Sequence, residues 1–129
     1  MERTVILAVD DEQDNLEFIK SILDDESKKV ITASDGEECM QIARKKNPDL
    51  IILDIQMPKK DGFTTFKELK EDPNLKEIPV IMLTGIGEKL GMKFTGEEME
   101  KFYSNKPENY LEKPIDPEKL KNIVSKILS

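Results

Sequence analysis

The sequence predicts an α/β fold in which parallel strands alternate with helices. Three observations predict it. Short runs typical of strands, most of them apolar, occur five times along the chain. The segments between these runs carry apolar residues at helical spacing or residues that favour helix starts. The third run, Leu50 to Leu53, is apolar throughout, as expected for a strand that helices cover on both faces. Such alternation implies βαβ crossovers and a parallel sheet between two layers of helices.

The first half of the chain predicts two strand–helix units. Their expected bounds are Thr4 to Val9 and about Asp14 to Asp24 for the first unit, and Lys29 to Ala33 and Ser34 to about Asn47 for the second. The first helix carries Leu16, Ile19, Ile22 and Leu23 on one face. Ser34 is followed three residues later by Glu37, and this capping box predicts the start of the second helix.

The second half predicts three more strands, with helices after each of them. The expected bounds are Leu50 to Leu53, Gly62 to about Asp72, Val80 to Leu83, and Asn109 to Glu112. Asp116 as N-cap and Pro117 at the first helical position predict the start of the last helix. The segment from Gly85 to Pro107 is the least regular part, where we expect a loop, a short helix from Thr95 to about Tyr103, and a turn.

Composition excludes several classes of function. The 129 residues carry a net charge of −7, which argues against direct binding of nucleic acid. No apolar run approaches the ~20 residues of a spanning helix, and no signal-peptide pattern is present, so we expect no membrane insertion. The single cysteine, Cys39, favours a reducing, cytoplasmic location. The chain contains no histidine, so any histidine chemistry must come from a partner.

Charged and polar side chains stand at the carboxyl ends of the predicted strands. Asp10 and Asp11 follow the first strand, Asp54 ends the third, Thr84 follows the fourth and Lys113 follows the fifth. In an open parallel sheet these ends form the ligand-binding edge. Two carboxylates 4 Å apart repel by about 4 kcal/mol at an effective dielectric constant of 20. Oxygen ligands without histidine or cysteine favour Mg²⁺ as the ion that relieves this repulsion.

The same residues are suited to phosphoryl transfer. Aspartate can carry a phosphoryl group as a covalent intermediate, and Asp54 is the natural nucleophile. Thr84 can donate a hydrogen bond to a phosphoryl oxygen, and Lys113 can neutralise a second one.

The chain resembles the receiver domains of two-component response regulators, of the chemotaxis-regulator type. The motifs that carry the resemblance are Asp10-Asp11, Leu53-Asp54-Ile55-Gln56-Met57-Pro58 with Asp61-Gly62 after it, Thr84, and Lys113-Pro114. The resemblance covers nearly the full length. It implies one receiver domain over residues 1–129, with a flavodoxin-like (βα)5 doubly wound parallel sheet of strand order 2-1-3-4-5.

The resemblance also implies a phosphorelay signalling function. Asp54 would accept a phosphoryl group from the phosphohistidine of a sensor histidine kinase. Mg²⁺ would be held directly by Asp11, Asp54 and the backbone carbonyl of Gln56, and by Asp10 through a water molecule. Thr84 and the switch residue Tyr110 would then change the face formed by the fourth helix, fifth strand and fifth helix, which controls an unknown output protein or domain. The chain would not be an enzyme, apart from its own phosphotransfer and autodephosphorylation.

The chain departs from the family pattern between Thr84 and Lys113. Gly85 stands where alanine is usual, and Lys113 follows Thr84 by 29 residues, several more than in most receivers. Pro107-Glu108-Asn109 replaces the usual Gly-Ala pair. These departures bear on the signalling face rather than on the acidic cluster.

Alternatives remain at this point. The first is a Mg²⁺-dependent aspartyl-phosphate hydrolase of the haloacid dehalogenase type, acting on small phosphate esters. That class has a second aspartate two residues after the nucleophile, where this chain has Gln56. The second is a structural pseudo-receiver, whose site residues are normally eroded. A dinucleotide-binding enzyme is excluded because Asp10-Asp11-Glu12 takes the place of a Gly-rich turn. Tyr110 is open to a switch role or to plain packing.

Overall fold

Five parallel strands form one sheet in a computed structural model that describes residues 3–55, 62–84 and 109–128. The strands are β1 (Thr4–Val9), β2 (Lys28–Ala33), β3 (Leu50–Asp54), β4 (Val80–Thr84) and β5 (Asn109–Glu112). Their order in the sheet is β2-β1-β3-β4-β5, and every neighbouring pair is parallel. The predicted fold class and strand order are therefore confirmed.

Four helices occur among the described residues. They are α1 (Gln13–Leu23), α2 (Gly36–Lys46), α3 (Gly62–Glu71) and α4 (Pro117–Leu128). Their starts at Gly62 and Pro117 are as predicted, and their other bounds differ from the predicted ones by at most two residues. The helix predicted from Thr95 to Tyr103, and the rest of the segment from Gly85 to Pro107, lie outside the described residues.

The sheet separates two hydrophobic cores, because successive side chains of a strand point to opposite faces. In β1, Leu7 and Val9 join the core beneath α2 and α3, whereas Ile6 and Ala8 join the core beneath α1 and α4. The five residues of β3 are all buried. The prediction of a central strand covered on both faces is therefore confirmed. This burial holds the end of β3, and with it Asp54, at the middle of the sheet edge.

The start of α2 differs from the predicted capping box. Asp35, not Ser34, is the N-cap, and its Oδ1 accepts the backbone N–H of Glu38 at 2.8 Å. Glu38, not Glu37, reaches back, and its Oε1 accepts the backbone N–H of Ser34 at 2.7 Å. Both Ser34 and Asp35 can cap a helix. With Asp35 as the cap, Glu38 occupies the third helical position, from which a side chain can reach backwards.

The other helix ends agree with the sequence. Asn47 ends α2 in the left-handed conformation, with φ of 47°. Asp116 Oδ1 accepts the backbone N–H of Glu118 at 3.0 Å, directly before Pro117 opens α4. The short connection from β5 to α4 contains Lys113 and a cis peptide bond to Pro114. These connections place Lys113 at the same sheet edge as Asp54.

Candidate functional site

The strand register brings three carboxylates together. Val9 pairs with Leu53, so that the next residue on each strand, Asp10 and Asp54, lies at the same level of the sheet edge. Asp11 follows Asp10 in the turn before α1. Asp10, Asp11 and Asp54 can each offer one carboxylate oxygen, and these oxygens lie within 4.8 Å of one another. The predicted proximity of the three carboxylates is therefore confirmed.

Asp10 is fully buried, and donors surround its carboxylate. Oδ1 accepts the backbone N–H of Glu12 at 2.9 Å, and Oδ2 accepts Nδ2 of Asn15 at 3.2 Å. The backbone N–H of Asp10 donates to the carbonyl oxygen of Ala33 at 3.1 Å, which extends the β1–β2 pairing beyond the end of the strand. The hydrogen bonds from Glu12 and Asn15 offset part of the free-energy cost of burying the Asp10 carboxylate.

Lys113 bridges two strand ends. Its Nζ lies 3.1 Å from Oδ2 of Asp10 and 3.2 Å from Oδ1 of Asp54. Burial lowers the pKa of the Lys113 ammonium, but the charges of Asp54 and Asp10 outweigh this and leave its pKa above the ordinary value. Lys113 is therefore a fixed positive charge at neutral pH. Its side chain keeps 23% of its surface exposed, so an incoming anion can reach it.

Asp54 is fixed by the backbone around it. It is 2% exposed, and the following N–H, that of Ile55, donates to the carbonyl oxygen of Leu83 in β4 at 3.1 Å. The N–H of Gly62 donates to the carbonyl oxygen of Ile55 at 2.8 Å. A Cβ at Gly62 would overlap the carbonyl oxygen of Asp54 and lie 2.6 Å from Cα of Ile55. Only glycine allows the start of α3 to lie this close to the end of β3.

The charge balance fits a divalent cation. Three carboxylates and one ammonium, in their ordinary ionised forms, leave an excess of two negative charges at the cluster. The side-chain atoms of the cluster that could bind a metal ion are all carboxylate oxygens, the ligand type that Mg²⁺ prefers. Asp11 is exposed, whereas Asp10 and Asp54 are buried, so the cluster opens to solvent on the Asp11 side. The residues present therefore fit a hydrated Mg²⁺ ion.

The remaining predicted site residues are only partly described. Gln56 and the side chain of Thr84 lie outside the described residues. The backbone of Thr84 pairs with Glu112, and Met82 pairs with Tyr110. Tyr110 is half-buried and packs against the core beneath α2 and α3. This packing is compatible with both roles considered for Tyr110, so its switch role stays a prediction.

Asn15 is not among the site residues predicted from sequence, and Gly62 is predicted only as a motif position at the start of a helix. Asn15 belongs to the first turn of α1, four residues after Asp11, and this spacing could have placed it near the strand end. No spacing identifies which oxygen of Asp10 it contacts. The close approach at Gly62 had a possible signal too, since a glycine at a helix start often marks tight packing of backbones.

Comparison with known proteins agrees with this architecture. The family model "Response regulator receiver domain" matches residues 6–125. The alkaline phosphatase synthesis transcriptional regulatory protein PhoP of Bacillus subtilis is 36% identical over 123 residues, which are 95% of this chain and 48% of PhoP. The response regulator PleD of Caulobacter vibrioides is 36% identical over 111 residues, which are 86% of this chain and 23% of PleD. The chain thus spans less than half the length of these curated relatives.

Solved structures give the same result. The chemotaxis protein CheY4 of Vibrio cholerae superposes with a TM-score of 0.81 at 29% identity, covering 98% of this chain and 99% of that one. The N-terminal domain of a response regulator receiver protein from Methanoculleus marisnigri superposes with a TM-score of 0.73 at 34% identity, covering 97% and 96%. Among the described residues, no helix is long and apolar enough to cross a membrane. From its sequence match and its sheet topology, the chain belongs to the response regulator receiver domain family.

Proposed function

We propose that residues 1–129 form one receiver domain that acts as a phosphoacceptor switch, with Asp54 as the acceptor and Mg²⁺ as the cofactor. The observation that carries the proposal is the position of Lys113 Nζ, 3.1 Å from buried Asp10 and 3.2 Å from buried Asp54, whose carboxylate oxygens lie within 4.8 Å of one of exposed Asp11. A purely structural cluster would not need a third carboxylate, in addition to the two that pair with the ammonium, at an open sheet edge. Perturbed, partly buried charges of this kind concentrate at functional sites.

The proposed reaction is an in-line phosphoryl transfer. A carboxylate oxygen of Asp54 attacks the phosphorus of a phosphohistidine, an O–P bond forms, and the P–N bond breaks with its electrons returning to the imidazole. The chain has no histidine, so the phosphohistidine belongs to a partner, which we propose is a sensor histidine kinase. Hydrolysis of the resulting acyl phosphate by water would reset the switch.

The residues of the cluster would have separate roles in the transfer. Asp11, Asp54 and the backbone carbonyl of Gln56 would hold Mg²⁺ directly, and Asp10 would hold it through water. When bound, the ion neutralises charge on the phosphoryl oxygens and on the carboxylates. Lys113 already lies beside Asp54 and would pair with a phosphoryl oxygen, for which its exposed fraction leaves access.

The proposed output runs through β4 and β5. Thr84 would donate a hydrogen bond to the phosphoryl group, and its backbone pairs with Glu112, two residues after Tyr110. A shift of Thr84 would thereby reach Tyr110 across one strand pair and favour one of two existing conformations of the signalling face. The partner on that face is an output protein or domain in the cytoplasm. The relatives named as transcriptional regulators suggest one such output, and the chemotaxis relative suggests another.

The direct test is phosphorylation by acetyl phosphate, followed by intact-protein mass spectrometry. We expect one added phosphoryl group, dependent on Mg²⁺, and none in Asp54→Asn. Asp14→Asn, which changes an exposed carboxylate in the same way, is the matched control and should react like the unaltered protein. Labelling of Asp54→Asn at unaltered stoichiometry would contradict the assignment. Steady turnover of p-nitrophenyl phosphate would favour the hydrolase instead.

A further inference from the structure

Asn15 ties the acidic cluster to the first helix. The N-cap of α1, Glu12, makes no side-chain capping hydrogen bond. Asp10 contacts the start of the helix instead: its Oδ1 accepts the N–H of Glu12 at 2.9 Å, and its Oδ2 accepts a hydrogen bond from Nδ2 of Asn15 at 3.2 Å. The two oxygens of one buried carboxylate therefore hold the first turn of α1, and the same contacts hold the carboxylate.

Asn15 and Lys113 donate to the same oxygen of Asp10. Lys113 Nζ lies 3.1 Å from Oδ2 of Asp10 while it also contacts Asp54. If Lys113 turns to a phosphoryl oxygen on Asp54, its contact with Asp10 weakens. Among the described contacts, Asn15 then remains the side-chain donor on that oxygen. An amide can fill this position without adding a positive charge that would repel Mg²⁺.

We propose that Asn15 is a positioning residue for the phosphoryl transfer. It holds Asp10 in the orientation that binds Mg²⁺ through water, while Lys113 pairs with a phosphoryl oxygen. The inference rests on the proposed phosphoacceptor function. A hydrogen bond to a charged group is worth more than one between neutral groups, and its loss leaves the buried carboxylate less firmly oriented. Replacing Asn15 should therefore weaken Mg²⁺ binding more than it slows phosphoryl transfer at saturating Mg²⁺.

The test measures the rate of Mg²⁺-dependent phosphorylation by acetyl phosphate as a function of Mg²⁺ concentration. Asn15→Leu removes the donor, keeps a similar shape and leaves the net charge unchanged. We expect its half-saturating Mg²⁺ concentration to rise about fivefold, the factor that corresponds to about 1 kcal/mol of lost hydrogen bonding. The rate at saturating Mg²⁺ should change less than about twofold, because weaker binding raises the half-saturating concentration without slowing the reaction of the saturated protein. Asn74→Leu makes the same change at an exposed position outside the cluster and should match the unaltered protein.

A role in packing alone would lower the melting temperature of Asn15→Leu and leave its Mg²⁺ dependence unchanged, and that result would overturn the proposal. Asn15→Ala serves as the second variant if the leucine is not accommodated, with the same expected shift. Side-chain amide signals give an independent readout: the pair of NMR peaks lost in the variant should move during a Mg²⁺ titration of the unaltered protein. A stationary pair would contradict the inference. Absence of phosphorylation in the unaltered protein would instead reject the proposed function.

Discussion

The N–H of Gly62 donates to the carbonyl oxygen of Ile55 at 2.8 Å, and any side chain at Gly62 would overlap the backbone at the end of β3. The start of α3 and the end of β3 are thus in direct backbone contact next to Asp54. The backbone that carries Asp54, the proposed acceptor, therefore leaves no room for a methyl group at Gly62.

Gly62→Ala should therefore both destabilise the domain and slow phosphorylation of Asp54. Forcing a methyl group into a packed site costs about 1–3 kcal/mol. We expect a loss of about 2 kcal/mol in urea unfolding, together with a slower reaction with acetyl phosphate at saturating Mg²⁺. Lys67→Ala, an exposed change on the same helix, is the control for helix propensity and should leave both quantities nearly unchanged. Equal phosphorylation rates in Gly62→Ala and Lys67→Ala would show that the close approach does not position Asp54.

The strand ends could be predicted from sequence because burial and topology act on whole segments. An apolar run such as Leu50 to Leu53 has few alternatives to a central strand, and the polar residue after it must then lie at the sheet edge. Asp10, Asp54 and Lys113 followed from this reasoning. The family resemblance implied the strand order that makes β1 and β3 neighbours, and the observed pairing of Val9 with Leu53 then sets Asp10 level with Asp54.

Local hydrogen bonds could not be predicted in the same way. Ser34 and Asp35 are both good N-caps, and the choice between them depends on backbone dihedral angles that spacing does not determine. Asn15 likewise has the ordinary spacing of a polar residue in a first helical turn. Its contact with Asp10 exists because the turn after β1 brings the start of α1 back over the buried carboxylate. Sequence patterns identify the strands and helices that carry the site, whereas its hydrogen bonds depend on the three-dimensional arrangement of these elements.

Mg²⁺ should stabilise the unaltered protein and have little effect on Asp11→Asn. An ion that binds only the folded state adds about 1.4 kcal/mol to the free energy of unfolding at ten times its Kd. Asp11 is the exposed member of the cluster, and Lys113 forms its ion pairs with Asp10 and Asp54, so replacing Asp11 removes a proposed metal ligand without opening the core. Thermal unfolding at increasing Mg²⁺ concentration measures the difference. A melting temperature of the unaltered protein that does not respond to millimolar Mg²⁺ would contradict a metal site.

The turn at Asp25, away from the site, should lose stability in acid. Its Oδ1 accepts the hydroxyl of Ser27 at 2.9 Å and the N–H groups of Ser27 and Lys28 at 2.8 Å each. The side-chain hydrogen bond of Ser27, followed by its backbone N–H, lowers the pKa of the Asp25 carboxyl. A lowered pKa in the folded state means that the contribution to stability is present above the unfolded pKa and is lost as pH falls through the folded value.

Ser27→Ala should raise the pKa of Asp25 toward its ordinary value, because the first of these donors is removed while the backbone donors remain. An NMR titration of the Asp25 carboxyl carbon measures this directly. Ser125→Ala, on the exposed side of α4, should leave the titration unchanged. An Asp25 pKa that stays equally low in Ser27→Ala would show that the backbone donors alone account for the shift.

The ion pair between Lys113 and Asp10 should show strong energetic coupling in a double-mutant cycle without Mg²⁺. Lys113→Met alone leaves buried Asp10 and Asp54 without their shared cation, and loss of one partner of a buried pair is costly. Adding Asp10→Asn removes much of that repulsion, so the double variant should be more stable than the sum of the single changes predicts, by about 1–3 kcal/mol. Urea unfolding of the four proteins measures this coupling.

The pair of Arg44 and Asp72 supplies the comparison. Its Nε–Oδ2 distance is 3.4 Å, but the Arg44 side chain is 59% exposed, whereas the Asp10 side chain is fully buried. Solvent screening should therefore hold the coupling in the Arg44→Met and Asp72→Asn cycle to at most about 1 kcal/mol. Saturating Mg²⁺ should reduce the coupling of Lys113 and Asp10, because a bound cation takes over part of the compensation, and should not affect Arg44 and Asp72. Equal coupling in the two pairs, or no response to Mg²⁺ in either, would mean that the charge of Lys113 does not balance the acidic cluster.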